Sequence, residues 1–339
     1  MPVKSSTLGE YYALLSGEHP RMPLAELQAL LEARLDGYIT FSSEGVAVFH
    51  STKDPTPLTS WAGWVKEVGR VYGVVEAEVS ELMGFARWLH GSGIRFKSIY
   101  VKKFRGYSCH VDERAVKNAY RTLLDAGASR DLRVFITEGI AIIGSILGRQ
   151  DTRSFNSRKP GKRPFFKPGP LSPQLSRVMV NLSRLKPGDI FLDPFCGTGG
   201  FIIEACLLDA SQCVCGDIAP EMVRGSVVNM KHFNLYERVT VLRQNSGSIP
   251  LRDESVDAIA TDPPYGRSTT TARKTYSELV RGFLRESYRV LRAGGYIVYA
   301  GPYREEPWRI AGEIGFSVID RFHMYVHSTL IREVVVARK

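Results

Sequence analysis

Apolar residues recur at helical spacing in 21-RMPLAELQALLEARL-35, and 45-GVAVFH-50 alternates as a half-buried strand does. A small α+β unit over residues 1–60 follows. From 61 to 150 the pattern predicts a helix near 81–91, a strand at 97–104, a helix at 112–127 and strands at 132–139 and 140–147, a second compact unit. Residues 151–173 then carry five prolines and several basic residues without periodicity, so 151–170 reads as an extended linker. Beyond it helices and strands alternate regularly. Strands are expected at 189–194, 212–217, 238–244, 256–261 and 295–301, with helices at 173–185, 199–210, 220–234, 275–294 and 306–315, and a closing strand pair at 317–327 and 330–339. That order predicts an α/β fold for 171–339, a doubly wound, Rossmann-like sheet of seven strands ending in a hairpin.

At 339 residues, 44% hydrophobic and 24% charged, the chain can bury two domains or more, which excludes a disordered protein. Neither a signal-peptide core nor an apolar run of bilayer-spanning length occurs, so no membrane association and a cytoplasmic location are expected. Net charge is +10, and it is local: from Arg87 to Pro170 there are 18 Lys and Arg against 6 Asp and Glu. Aromatic rings interleave with these charges in 95-RFKSIYVKKFRGY-107 and 158-RKPGKRPFFK-167. Phosphates are neutralised and bases stacked by this composition, so Lys102, Lys103, Arg105, Arg158, Lys159, Lys162 and Arg163 are candidate RNA contacts.

Five cysteines, mostly inside apolar stretches, suit a reducing compartment, and structural disulfides are not expected. No metal site is expected either. Cys213 and Cys215 read as alternate residues of a buried strand, and His323 and His327 sit on a strand with no nearby carboxylate cluster.

Candidate chemistry gathers at the strand ends of the last domain. The strand closing in 191-FLDPFCGTGG-200 delivers Asp193 into a turn where Gly197 and Gly199 let backbone amides approach a ligand. The next strand ends in Asp217, 24 residues later, where a carboxylate can accept both ribose hydroxyls of a nucleoside. The third ends near Asn245 and Ser246, the fourth at 261-TDPPYG-266, and all four ends lie where open α/β sheets bind ligands. A pyrophosphate would be repelled by Asp193, whereas a methionine ammonium would pair with it, which favours S-adenosylmethionine over a dinucleotide.

An exocyclic base amine is a poor nucleophile, because its lone pair is delocalised into the ring. A carboxylate and a backbone carbonyl that accept its two N–H bonds localise that lone pair, while an aromatic ring stacks on the flipped base. Asp262, Pro263 and Tyr265 are the candidates for carboxylate, carbonyl and ring.

In 163-RPFFKPGPLSPQLSRVMVNL-182, 192-LDPFCGTGGFIIEA-205 and 261-TDPPYG-266 the chain resembles the THUMP-containing tRNA guanine-N2 methyltransferases, especially the archaeal enzymes that methylate guanosine 10 of tRNA. The resemblance implies tRNA as substrate, S-adenosylmethionine as donor, a class I methyltransferase fold, and an N-terminal ferredoxin-like unit (1–60) with a THUMP domain (61–150). It adds Cys196, Ile218, Pro170 and Leu171 to the cofactor-binding set, and it implies that some relatives work with a small zinc-binding activator subunit. Two departures stand out. Asn245 and Ser246 occupy a position where relatives often carry an acid, and Pro170 replaces part of a frequent Gly-Ser. Asp-Pro-Pro-Tyr does not itself choose between bases, which leaves methylation of ribosomal RNA guanine N2 or DNA adenine N6 as alternatives, and a catalytically silent RNA-binding module as one of another class.

Overall fold

The computed structural model describes residues 9–104, 111–265 and 275–339. They divide into two compact units. One comprises the described residues up to 24 together with 35–60 and 65–150, and the other 25–34, 61–64 and 151–339.

The first unit is built on β1 (Glu10–Leu15), β2 (Gly37–Ser43), β3 (Val46–Ser51), β4 (Val65–Glu76), β5 (Ser98–Lys103), β6 (Asp131–Thr137) and β7 (Ile140–Arg149). They form one sheet in the order β2-β3-β1-β4-β7-β6-β5, antiparallel except for β5 and β6. This sheet runs through both pieces that the sequence divides near residue 60. Helices α1 (Met22–Leu30) and α2 (Leu58–Trp61) lie at the joins, followed by α3 (Val79–Gly91) and α4 (Glu113–Tyr120). Phe85, Leu89, Phe96, Tyr120 and Leu132 make a core with the sheet. Strand β4, which the sequence pattern does not reveal, is polar at its heart: buried Glu67 accepts hydrogen bonds from Tyr12 Oη at 2.8 Å, Arg133 Nε at 2.9 Å and Arg149 Nε at 3.0 Å.

In the second unit the elements are α5 (Thr152–Ser157), α6 (Pro173–Leu182), β8 (Ile190–Asp193), α7 (Gly200–Cys206), β9 (Gln212–Asp217), α8 (Pro220–His232), β10 (Val239–Arg243), β11 (Val256–Thr261), α9 (Tyr276–Val290), β12 (Leu291–Pro302), α10 (Pro307–Ile314), β13 (Ser317–His327) and β14 (Leu330–Arg338). Its sheet runs β10-β9-β8-β11-β12-β14-β13. The first five strands are parallel and the last two antiparallel, as the alternation and the closing pair require. Strong local signals start the helices. Ser172 caps α6 ahead of Pro173, and Thr275 with Glu278 forms a capping box on α9. Residues 25–34 and 61–64 belong here through Glu26, which is fully buried and accepts from Gly63 N, Trp64 N and Asn181 Nδ2 at 2.6–2.8 Å. Burial pushes its carboxyl up to about 7 against those hydrogen bonds.

The expected extended linker is instead structured. Arg158 and Arg177 both pair with Glu204, which is completely buried, and Arg163 donates to Thr198 Oγ1 at 3.2 Å. Phe165 exchanges backbone hydrogen bonds with the Asn229 side chain at 2.9 Å, and its ring covers Gly225, where a Cβ would come within 2.0 Å. Arg158 and Arg163 are therefore buried, at 7% and 4% exposure, and in this arrangement offer nothing to an RNA phosphate. Arg158 spends its charge on Glu204, a counter-ion that the local sequence does not show, and Arg163 donates to Thr198 and to the Arg158 carbonyl.

Candidate active site

Four of the five parallel strands, β8, β9, β10 and β11, contribute their carboxyl ends. After β8 the chain turns through Pro194–Thr198, with Gly197 at φ 52° and Gly199 at φ 86° heading α7, conformations open to glycine. Strand β9 ends in Asp217, whose Oδ2 accepts from Gly197 N at 2.9 Å and whose Oδ1 accepts from Ala219 N at 2.8 Å. One carboxylate thus ties the glycine turn to its own loop. A second tie is covalent: Cys196 and Cys215 form a disulfide. This overturns the expectation of no structural disulfide. The pair is 19 residues apart in sequence, but parallel β8 and β9 bring their ends side by side. Cys206 and Cys213 are buried and free.

These ends line a cavity of about 480 Å³, the size range of small-molecule sites. Cys196, Gly197, Asp217, Ile218, Asn245, Ser246, Asp262, Pro170 and Leu171, all expected from the sequence, line it. Gly199 does not; it is the residue that caps the start of α7. Asp193 also stands apart from the wall. It is fully buried, and its Oδ1 accepts from Phe195 N at 3.1 Å and Thr261 Oγ1 at 2.6 Å, while Oδ2 has no partner among the described residues. Burial pushes its carboxyl up to about 7, with Asp217 and Asp262 adding to the rise against the two hydrogen bonds.

At the end of β11, Asp262 faces the cavity and meets two groups. Its Oδ1 accepts from Tyr265 Oη, and its Oδ2 stands 3.8 Å from Arg332 Nη2; Arg332 Nε in turn donates to Tyr265 Oη at 3.0 Å. Burial raises the Asp262 carboxyl, opposed by Arg332 and by the tyrosine hydrogen bond. Pro263 is buried, and the Tyr265 ring meets Tyr276 edge-on with centroids 6.3 Å apart.

Sequence reasoning missed three residues here. Thr261 is signalled only by its place before Asp262. Gln244 lines the cavity beside Asn245, is 5% exposed and has neither amide atom paired among the described residues. Arg332 comes 67 residues after Tyr265, so only the strand order reveals it.

The expected RNA contacts are divided between the two units. Lys102 and Lys103 lie on edge strand β5; Lys102 is half-buried with Nζ 4.5 Å from the Phe104 ring centroid, Lys103 is exposed, and Arg105 falls outside the described residues. Lys159 and Lys162 are exposed. His323 has Nε2 2.9 Å from Glu333 Oε1 across the β13–β14 pair, a single carboxylate and not a cluster. Among the described residues no group of three or more His, Cys, Asp or Glu could hold a metal, and no helix is long and apolar enough to cross a membrane.

The RMKL-like methyltransferase domain family matches residues 160–332. A tRNA (guanine(10)-N2)-dimethyltransferase of Methanothermobacter thermautotrophicus is 33% identical over 97% of this chain and 99% of its own length, and one of Pyrococcus abyssi is 31% identical over 95% and 97%. Among solved structures, TrmN from Thermus thermophilus shares the fold with a TM-score of 0.57, at 19% identity, over 97% of this chain and 99% of its own.

Proposed function

The chain belongs to the family of tRNA (guanine(10)-N2)-dimethyltransferases, and from that membership we propose that it transfers methyl from S-adenosylmethionine to the N2 amine of guanosine 10 in tRNA, forming N2-methyl- and then N2,N2-dimethylguanosine. The observation that carries the reading is the meeting of the Gly197 turn, Asp217 and Asp262, from three parallel strands, in one cavity.

The residues present fit that cofactor. Asp217 keeps lone pairs beyond those used by Gly197 and Ala219 for ribose hydroxyls, and the dry amide of Gln244 matches a heterocycle that both donates and accepts. Bound S-adenosylmethionine supplies an electrophilic methyl group on a positively charged sulfur. Asp262 accepts an N–H of the target amine, and the Pro263 carbonyl accepts the other, which together localise the nitrogen lone pair. As the nitrogen gains positive charge, the Asp262 carboxylate stabilises it and can take its proton. Tyr265 anchors Asp262 through its hydroxyl and offers its ring to the base. Asp193, beneath the floor, fixes Thr261 and hence the direction in which Asp262 leaves β11.

In this reading the first unit, as ferredoxin-like unit plus THUMP domain, holds the tRNA backbone, with Lys102 and Lys103 on β5 and Lys159 and Lys162 on the second unit as phosphate contacts. A tRNA substrate is compatible with the cytoplasmic location expected from the sequence. The test is methylation of an unmodified tRNA transcript with labelled cofactor, followed by nucleoside analysis, alongside a transcript with adenosine at position 10. Equal labelling of both transcripts would sink the reading. Running the assay with the protein alone and with cell extract decides whether a small zinc-binding activator subunit takes part.

A further inference from the structure

The proposed chemistry leaves one question: Asp262, Pro263 and Tyr265 would treat any exocyclic amine alike, so something else must select guanine. We propose that Arg332 reads the O6 carbonyl of the target guanine; the inference rests on the function proposed above and deepens it.

Arg332 is placed where such a reader has to be. It sits on β14, paired in register with Pro302 of β12, so it reaches Asp262 from the side of β11 opposite the glycine turn's strand, and its side chain is 13% exposed. Its Nε–H is engaged by Tyr265 Oη, which fixes the plane of the fork. Nη2 points toward Asp262 Oδ2 but stops at 3.8 Å, too long for a hydrogen bond and near enough for an ion pair. A guanidinium with one edge anchored and the other standing 3.8 Å from the catalytic carboxylate is a rigid donor waiting for an acceptor.

The order of groups matches one base. Along its Watson–Crick edge guanine presents the N2 amine, then N1–H, then O6: donor, donor, acceptor. Asp262 followed by Arg332 presents acceptors and then a charged donor. Once the amine and N1–H meet Asp262, O6 is the next atom, on the side from which Nη2 approaches Oδ2. Adenine fails this pattern. With its amine at Asp262, the neighbouring ring nitrogen is a bare acceptor that faces carboxylate oxygen, and no carbonyl follows for Arg332. Without such a use the arginine works against catalysis, because a cation beside Asp262 draws on the lone pairs that the amine needs.

The probe is tRNA carrying 6-thioguanine at position 10, which keeps the amine and N1–H and exchanges only O6 for a weak acceptor. The quantity read is the ratio of kcat/KM on guanine to that on 6-thioguanine, for wild type and for Arg332→Gln, with cofactor affinity by calorimetry as the check on folding. Loss of a hydrogen bond from a charged donor predicts a wild-type ratio of roughly 10 to 100, collapsing toward one in the variant. Should Arg332→Gln fail to bind cofactor, the ratio is read on Arg332→Lys, which keeps the charge and loses the fork, and the same collapse is expected. A variant that slows both substrates alike and keeps the wild-type ratio overturns the proposal, since Arg332 would then act only through Asp262 and Tyr265. So does a wild type that does not discriminate. Wild type that leaves the guanine transcript unmethylated overturns the function itself, and the proposal with it.

Discussion

Replacing Glu204 with Gln is the sharpest test of how the cavity wall is held. The carboxylate is fully buried, accepts from Arg158 Nε at 2.8 Å and Nη2 at 3.2 Å, and from Arg177 Nε at 2.9 Å, and those two arginines are 7% and 3% exposed. Glutamine keeps the shape but removes the negative charge, leaving two guanidiniums out of water without the counter-ion they share. Breaking a buried ion pair in this way costs about 3–5 kcal/mol. For a cooperative unit of this size each kcal/mol lowers the midpoint by about 2–4 °C, so a fall of roughly 6–20 °C is expected. Calorimetry on the full-length protein measures it, with circular dichroism to verify that folding is regained at low temperature. In parallel, Arg158→Ala should lower the midpoint and leave the salt dependence of tRNA binding unchanged, because this arginine faces Glu204 and not solvent. A Glu204→Gln midpoint within about 2 °C of wild type would refute the argument, showing that the two arginines find water or other acceptors once the charge is gone.

Four further outcomes are expected. Asp262→Ala should abolish methyl transfer while cofactor affinity by calorimetry stays within a few-fold; comparable loss of affinity would remove its assignment to the amine. Asp217→Ala should weaken S-adenosylmethionine by about 2 kcal/mol, the loss of a charged acceptor, and an unchanged dissociation constant would mean that the ribose lies elsewhere. Neutralising Lys102 and Lys103 together should lower the log-log salt slope of tRNA binding by about 1–2, since alternate strand residues face opposite ways, with cofactor affinity unaltered; an unchanged slope would leave them as a solvated edge. Asp193, with its folded pKa raised to about 7, binds a proton that the unfolded chain releases near 4, so cofactor-free stability should fall as pH rises from about 4 to 7. Glu26 adds a slope of the same sign, and Asp193→Asn should flatten the profile by its own share; an identical profile would contradict its burial as a carboxylic acid.

What the sequence made legible were features carried by short stretches. Regular alternation yields the succession of parallel strands along the chain, and Gly197, Asp217 and TDPPYG mark their ends. Interactions between distant residues stayed hidden. Strand β4 carries Lys66, Glu67 and Arg70 in a run that looks too polar to be internal; it is stable there because Glu67 finds Tyr12, Arg133 and Arg149, from 55 to 82 residues away. The same blindness turned Arg158 and Arg163 into RNA contacts, since Glu204 lies 46 residues beyond Arg158. It separated Cys196 from Cys215, neighbours only once β8 and β9 pair, and it left Arg332 unseen.

Gln244 has a consequence for how the enzyme is tuned. Lying over Gly216, where a Cβ would come within 2.0 Å of Nε2, its amide has been taken out of water without any hydrogen bond among the described residues in return. That is local frustration, a place where the cofactor-free fold is held in a less favourable state than its sequence could allow. Relieving it with an apolar side chain of similar volume should make the cofactor-free protein more stable and a worse binder at once, the opposition expected where a fold gives up stability for recognition. If the wall that Gln244 shares with Asp217 holds the methyl donor as proposed, heat resistance is best sought away from it, since variants selected there for stability alone would drift toward a sturdier protein that binds its cofactor less well.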